Sequence, residues 1–388
     1  MLDRTIEILS DLIAFPTVSS DSNLEMIAYL ADRLEAAGAK VDVLSDAVGR
    51  KANLFATLGP EIDGGIVLSG HSDVVPVTDQ AWSTDPFKMA ERDGRLFGRG
   101  TCDMKGFIAA TIAMAPVFAK KIQHRPLHFA FTYDEETGCI GAGHLAKELK
   151  QRAFRPSVAI IGEPTGMRII EGHKGCYEYT TRFQGLEGHG SIPDQGVNAV
   201  EYAVRYVARL LDLKNELRSK APPRSRFEPP WTTINVGVLN GGTVHNVIAP
   251  KAQVDWEMRP VQVSDATFVK EDLKRYCREV LLPEMQKTHP DADITTEIIG
   301  EVDGLVPVDH NEARQIVSEL TGANGADLVS FGTEAGIFQN LGMDVVVCGP
   351  GSIEQAHKAD EYLERDQLAQ CLKLLERLAD KCAAPAPG

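Results

Sequence analysis

Four apolar runs in this chain end on side chains that bind divalent metal ions. Ile66-Val67-Leu68 leads through Ser69-Gly70 to His71, and Phe129-Ala130-Phe131-Thr132-Tyr133 leads into Asp134-Glu135-Glu136. Val158-Ala159-Ile160-Ile161 leads into Gly162-Glu163, and Asp344-Val345-Val346-Val347-Cys348 leads through a Gly/Pro-rich turn toward His357. A lone histidine in such a place is usually a hydrogen-bonded structural residue; four strand ends carrying the same kind of side chain form a pattern. Asp103, just ahead of an apolar helix expected at about 105–120, adds a fifth group. The proposed ligand set is therefore His71, Asp103, Glu136, Glu163 and His357. Imidazole with carboxylate is ligand chemistry for zinc, and cobalt fits the same atoms. Five groups are too many for one tetrahedral ion with an open position; they suit two ions that share a carboxylate and activate water for hydrolysis. Without metal, three convergent acids would raise one another's pKa.

Two more acids stand beside this set. Glu135 adjoins Glu136, so on an extended backbone it points elsewhere, which suits a general base near the ions but not bound to them. Asp73 follows His71 by two residues, and strand alternation would put it on the same face, where it could orient the imidazole. The plainer reading of Asp73 is a turn-capping residue.

The elements that must position these groups are legible in outline. Ile6, Leu9 and Ile13 recur at helical spacing over 3–15, and Leu24, Ile27, Leu30 and Leu34 do so over 23–37, where Gly38 supplies the stop. Strand-like runs follow at 40–44, 52–58 and 66–69. Short apolar runs ending on ligands read as buried parallel strands of an α/β sheet, with the site outside their carboxyl ends. After Lys174 the rhythm changes. Tyr177, Tyr179, Thr181 and Phe183 alternate, a helix is expected at 197–215, strands at 234–238 and 252–258, a helix near 265–282 and a strand near 293–299. That β-α-β-β-α-β order is the signature of a ferredoxin-like unit. The expected architecture is α/β: a catalytic domain, 1–175 with 304–388, built on a mixed, mostly parallel sheet flanked by helices. It holds an inserted ferredoxin-like α+β domain at 176–303, to which the proline-bearing loop 221–230 belongs. Residues 383–387 read as a loose tail.

Composition narrows the partners. The chain has 388 residues, enough for two domains, and a formal net charge of −15, which argues against nucleic acid. No apolar run of about 18 residues offers a membrane span. The start, Met1-Leu2-Asp3-Arg4, lacks the basic and apolar regions of a secretion signal, and seven cysteines without a C-x-x-C pair suit free thiols, so a cytoplasmic location is expected.

Five motifs in order, Ser69-Gly70-His71-Ser72-Asp73-Val74-Val75-Pro76, Gly98-Arg99-Gly100-Thr101-Cys102-Asp103-Met104-Lys105-Gly106, Asp134-Glu135-Glu136-Thr137-Gly138, Gly162-Glu163-Pro164-Thr165 and Ala356-His357-Lys358, resemble the co-catalytic zinc deacylase/exopeptidase family. The resemblance spans nearly the whole chain. It implies two zinc ions bridged by Asp103, with His71 and Glu163 on one, Glu136 and His357 on the other, and Glu135 as base. It also implies a cis peptide after Asp103. Glu187-Gly188-His189-Gly190-Ser191 resembles the segment whose histidine reaches the active site of the partner subunit to steady an oxyanion, so the insert would be a lid and dimerisation domain of a homodimer. Asn246, Arg259, Gly332 and Thr333 match positions that hold substrate, a small acylated amino acid. His173-Lys174 stands where desuccinylases of that family carry paired arginines, which favours a small acyl group.

Overall fold

The computed structural model describes residues 1–122 and 124–383, so the tail expected at 383–387 lies, past Ala383, outside the described residues. Two compact units form: Met1–Gly172 with Pro307–Leu328 and Thr333–Gly388, and His173–Val306 with Val329–Gly332. The insert thus takes in His173–Gly175, Gly304–Val306 and the short return Val329–Gly332, beyond the expected 176–303. The reason is local. The His173 N–H bonds the Leu305 carbonyl at 3.0 Å and the Gly175 N–H bonds that of Pro260 at 2.9 Å, so both crossing segments are tied down before the first long strand begins.

Along the chain, the first unit opens with helices α1 (Leu2–Ile13) and α2 (Leu24–Ala36) and strands β1 (Lys40–Ser45), β2 (Ala52–Leu58) and β3 (Ile66–His71). A hairpin, β4 (Ala90–Arg92) and β5 (Arg95–Phe97), precedes α3 (Gly106–Lys121), β6 (Leu127–Thr132), α4 (Ile140–Leu149), β7 (Val158–Pro164) and β8 (Ile170–His173). The insert holds β9 (Cys176–Gln184), β10 (Gly188–His189), α5 (Ala199–Ser219), β11 (Thr233–Gly241), β12 (Val247–Ile248), β13 (Lys251–Arg259), α6 (Val263–Tyr276), α7 (Leu282–Thr288) and β14 (Asp293–Val302). The chain then adds α8 (Glu312–Thr321), β15 (Asp327–Val329), α9 (Ala335–Gln339), β16 (Asp344–Gly349), β17 (Tyr362–Glu364) and α10 (Arg365–Ala383).

The first unit is organised by a sheet in the order β1-β2-β6-β3-β7-β16-β8-β15. Its middle is parallel: β3 pairs with β6 and β7, and β7 with β16, all in one direction, while β1, β2 and β8 join antiparallel. Parallel strands need both faces covered, and β3, β6 and β7 are buried at every position, as is the neighbouring antiparallel β2. Helices α1, α2, α3, α8 and α10 pack among themselves, and α4 packs with α9. Apolar all round, α3 is long enough with its preceding turn to cross a membrane, yet most of it is buried inside the protein, as expected of a core helix. Gly38, at φ +90°, closes α2 in the left-handed conformation that Gly adopts without Cβ strain.

The insert follows the expected β-α-β-β-α-β order, and its sheet runs β11-β13-β9-β14, antiparallel throughout. Tyr179, Phe183, Tyr206, Val254 and Trp256 form its separate core with Leu210 and Leu213 of α5. The second helix outruns its expected end at 282: it passes through a wider turn at Cys277–Leu281 into α7. Pro283 is the second residue of α7, directly after this wider turn.

Candidate metal centre

Because β6, β3, β7 and β16 run the same way, their carboxyl ends share one edge of the sheet. His71 closes β3 opposite Thr132, the last residue of β6, and Glu163 lies near the end of β7. Asp134-Glu135-Glu136 follows β6 directly, with Asp134 at φ +53°, and His357 follows β16 on a loop, itself at φ +60°. Asp103 comes from the irregular turn between β5 and α3, and the Asp103–Met104 peptide is cis, as the family resemblance implied.

These groups meet. His71 Nε2 lies 3.0 Å from Asp103 Oδ1 and 3.8 Å from Glu163 Oε1. On the other side, His357 Nε2 stands 3.3 Å from Asp103 Oδ2 and 3.1 Å from Glu136 Oε2. Asp103 therefore turns one oxygen toward each imidazole, the arrangement a shared ligand requires. His71, Asp103 and Glu136 each offer an atom within 4.8 Å of the others, as do His71, Glu135 and Glu163. Neighbouring Glu135 and Glu136 thus divide between the two groups.

The chemistry of this ring fits divalent cations. Glu163 Oε1 is buried with no hydrogen-bond partner, a costly state for a carboxylate oxygen unless a cation meets it. Among the described residues no lysine or arginine pairs with Asp103, Glu135, Glu136 or Glu163; their counter-charges are the two imidazoles. The directions in which these groups are pushed follow from that imbalance. Burial, with the charges of Asp103 and neighbouring acids, pushes Glu163, Glu135 and Glu136 above the usual carboxylate range, the first two well above it. Burial would push the His71 imidazolium down, but Glu163, Asp103 and Asp73 outweigh it and hold it well above the ordinary histidine value. Hydrogen bonds to Asp103 and Glu136 raise His357 to about 10. Burial would raise Asp103 too, yet its bonds to His357 and His71 hold it below the usual range.

Asp73 departs from the expectation of strand alternation. The strand ends at His71, so the next residues turn. The backbone carbonyl of Asp73 accepts from His71 Nδ1 at 2.8 Å, while its carboxylate stands 3.6 Å from that nitrogen. The carboxylate instead accepts from Ser19 Oγ at 2.7 Å and from the N–H groups of Glu135 and Glu136 at 3.1 and 3.3 Å. Asp73 does both jobs, its main chain fixing the imidazole and its side chain capping the turn that bears the glutamates. Cys102, beside Asp103, is buried with its Sγ 3.3 Å from the Ser352 carbonyl, a thiol filling space.

The other expected residues divide between the units. In the insert, His189 pairs with Val247 on the ribbon of β10 and β12, and the Gly190 N–H bonds the Asn246 carbonyl at 2.8 Å, so His189 and Asn246 are neighbours there. His189 is exposed, its Nδ1 2.7 Å from Ser191 Oγ. Arg259, at the end of β13, bonds Glu257 through two nitrogens at 3.0 and 2.8 Å. Gly332 approaches Cys176, whose Cβ would stand 3.3 Å from a side chain there. Thr333, in the first unit, accepts from the Ala335 N–H at 3.1 Å and starts α9.

Three buried charges near the centre were not singled out from sequence. Glu334 is fully buried and accepts from Ser69 Oγ at 2.5 Å and Thr132 Oγ1 at 2.7 Å, bracing β3 and β6 just before their ligand-bearing ends. Arg99 and Glu361, each 1% exposed, pair at 2.6 Å. All three lie in or beside stretches matched to the family, Glu334 directly after Gly332-Thr333, which was the available signal.

Comparison with known proteins agrees with this geometry. Residues 67–381 match the family described as Peptidase family M20/M25/M40. Over 385 residues the chain is 35% identical to an acetylornithine deacetylase of Photorhabdus laumondii subsp. laumondii, covering 97% of this chain and 96% of that one. It is likewise 35% identical over 367 residues to an acetylornithine deacetylase of Shigella sonnei, with 92% of each covered. The crystal structure of the M20 family metallo-carboxypeptidase Sso-CP2 from Sulfolobus solfataricus superposes with a TM-score of 0.75 at 17% identity, covering 98% of this chain and 99% of that one. Matched along its length in both sequence and fold, the chain belongs to peptidase family M20/M25/M40 and is a metal-dependent hydrolase of amide bonds.

Proposed function

We propose that this hydrolase removes the acetyl group from Nα-acetyl-L-ornithine, releasing ornithine and acetate. It would act as a cytoplasmic homodimer with two zinc ions, for which cobalt can substitute. The observation that carries the substrate is the full-length likeness to two acetylornithine deacetylases. Two details of the chain support it. Trp82-Ser83-Thr84-Asp85-Pro86-Phe87 and Gln355–Tyr362 resemble the corresponding stretches of such deacetylases. Lys174, where desuccinylases carry an arginine, spends its amine on the carbonyls of Pro229 and Trp231 at 2.7 and 3.0 Å, leaving a succinyl carboxylate without that clamp.

In this reading His71 and Glu163 would hold one ion, Glu136 and His357 the other, with Asp103 serving both. Bound there, two dications would polarise the amide carbonyl and make water acidic enough to attack near neutral pH. Glu135 takes the proton of the attacking water and delivers it to the leaving nitrogen. Burial and the neighbouring acids give its carboxylate a raised affinity for that proton. Asp73 keeps His71 in the tautomer whose Nε2 is free for metal, because Nδ1 is committed to the Asp73 carbonyl. His189 of the partner subunit would donate to the oxyanion, and Asn246 and Arg259 would hold the amino-acid end.

Steady-state rates on acetylornithine, succinyl-diaminopimelate, acetylmethionine and simple dipeptides test the substrate. The largest kcat/KM is expected for acetylornithine, and a preference for a dipeptide or a long acyl group would overturn the reading. Glu135→Ala should keep both metal equivalents and lose activity by about 10³-fold. A metal-loaded variant that still turned over would remove Glu135 from the role of base.

A further inference from the structure

A chain of polar groups, buried at Arg99 and Glu361 and half-buried at Gln80, links the Asp103 backbone to the His357 side of the centre. The Glu361 carboxylate takes four hydrogen bonds. Its Oε1 accepts from the N–H groups of Cys102 and Asp103 at 2.9 and 3.0 Å, and its Oε2 from the Gly100 N–H at 3.1 Å and from Arg99 at 2.6 Å. The Arg99 guanidinium uses its fork: Nη1 meets Glu361, while Nη2 donates to Gln80 Oε1 at 2.6 Å. Gln80 then donates through Nε2 to the His357 carbonyl at 2.9 Å. A second strap lies alongside, with the Ser83 N–H and Oγ both donating to Asp360 at 2.9 and 3.0 Å. Every link lies in the first unit, and the chain is continuous from the backbone N–H of one ligand, Asp103, to the backbone carbonyl of another, His357.

The two ends differ in how firmly they are otherwise held. The Asp103 side chain is 7% exposed, whereas that of His357 is 50% exposed on a loop with a left-handed backbone. A ligand on an exposed loop loses conformational freedom when it binds an ion, unless the protein has already fixed it. Arg99 and Glu361 are suited to that fixing because each is too deeply buried to relax into water, so the pair keeps its fork-to-carboxylate geometry.

We propose that Gln80, Arg99 and Glu361 form a positioning device that presets His357 relative to Asp103, and that Gln80 thereby sets the affinity for the ion between His357 and Glu136 while leaving that beside His71 and Glu163 untouched. This rests on the two-ion reading above. These residues touch neither substrate nor ion; they act through the ligands.

The test is zinc titration of the metal-free protein against a competing chelator, with cobalt(II) absorption as a second readout of coordination. Wild type should bind two equivalents. In Gln80→Leu, a half-buried position, the first equivalent should keep its affinity and the second weaken at least about tenfold, with a change in the cobalt spectrum. Glu361→Gln should weaken both equivalents, since Asp103 serves both. Arg314→Met, which breaks the half-buried pair with Glu171 elsewhere in this unit, should lower the melting temperature and leave both affinities alone. Should Glu361→Gln not fold, Gln80→Leu decides. Equal affinity of Gln80→Leu and wild type for both equivalents overturns the proposal. Fewer than two equivalents in wild type overturns the two-ion reading and this proposal with it.

Discussion

At the scale of single residues, the metal-type side chains were legible because chemistry and place coincided repeatedly: one imidazole or carboxylate after an apolar strand says little, but four such strand ends say much. Buried charges such as Arg99, Lys105 and Glu361 were not legible, because in a sequence they look like surface charge; what marks them is the set of partners, contributed by distant segments. Lys105 is an example. Its amine, two residues from Asp103, is buried against the carbonyls of Leu12 and Phe15 at the end of α1. His128 shows how far burial alone governs a residue. It stacks between Phe55 and Phe154 at centroid distances of 5.2 and 5.3 Å, with Nδ1 2.9 Å from Thr57 Oγ1. Burial, and then the charge of Arg152, push its pKa down to about 3. The folded protein therefore keeps His128 neutral where the unfolded chain protonates it, below about pH 6.5. The unfolded state binds the extra proton in that window, so this contribution to stability is complete above the unfolded pKa and is lost as pH falls toward the folded value of about 3. Denaturant unfolding of metal-free wild type and His128→Leu from pH 7 to pH 4 should show a steeper loss in wild type, by up to about 1.4 kcal/mol per pH unit. Parallel profiles would show that His128 carries no such linkage.

At the scale of elements, alternation and helical spacing located most strands and helices, and failed where an element stopped. The Asp73 expectation assumed that β3 continued past His71, and the turn there exchanged the roles of carboxylate and carbonyl. The helix expected to end near 282 ran on through the wider turn at Cys277–Leu281 into α7, with Pro283 just past that turn. Close approach of elements is equally hidden in sequence. Gly162, just before Glu163 on β7, has no room for a side chain: a Cβ there would lie 2.0 Å from ring atoms of Phe107 on α3. Gly162→Ala should therefore cost ~1–3 kcal/mol by overpacking and lower the thermal midpoint of the first unit. In a Phe107→Ala background, which removes the Cγ and Cδ atoms that the new methyl would meet, Gly162→Ala should cost less than it does in the wild type. If the cost is the same in both backgrounds, the ring contact is not what excludes a side chain at 162.

At the scale of the whole molecule, the division of labour becomes testable. The five ligand-type side chains all belong to the first unit, while His189, Asn246 and Arg259 belong to the insert. If a catalytic site takes its Glu135 from one subunit and its His189 from the other, the two residues can be inactivated on separate chains and recombined. Homodimers of Glu135→Ala lack the base in both sites, and homodimers of His189→Ala lack the oxyanion donor in both. In a mixed dimer, one site inherits both defects. The other joins an intact Glu135 to His189 of the partner subunit and is whole. Equal mixing with free exchange makes half of all dimers mixed, each with one competent site in two, so activity should recover to about a quarter of wild type. Sedimentation at the assay concentration must show that the dimer persists, and a tagged subunit must show that exchange has occurred. Mixtures with demonstrated exchange that stay at the sum of the two parents would place Glu135 and His189 of a functional site on the same chain, or would remove His189 from the chemistry. The His189→Ala homodimer separates these two outcomes, being impaired in the first and near wild type in the second, and mixing His189→Ala with Asn246→Ala is the control that should restore nothing. Neighbours on one ribbon should serve the same site, and two variants disabled in the same contributing segment cannot restore each other.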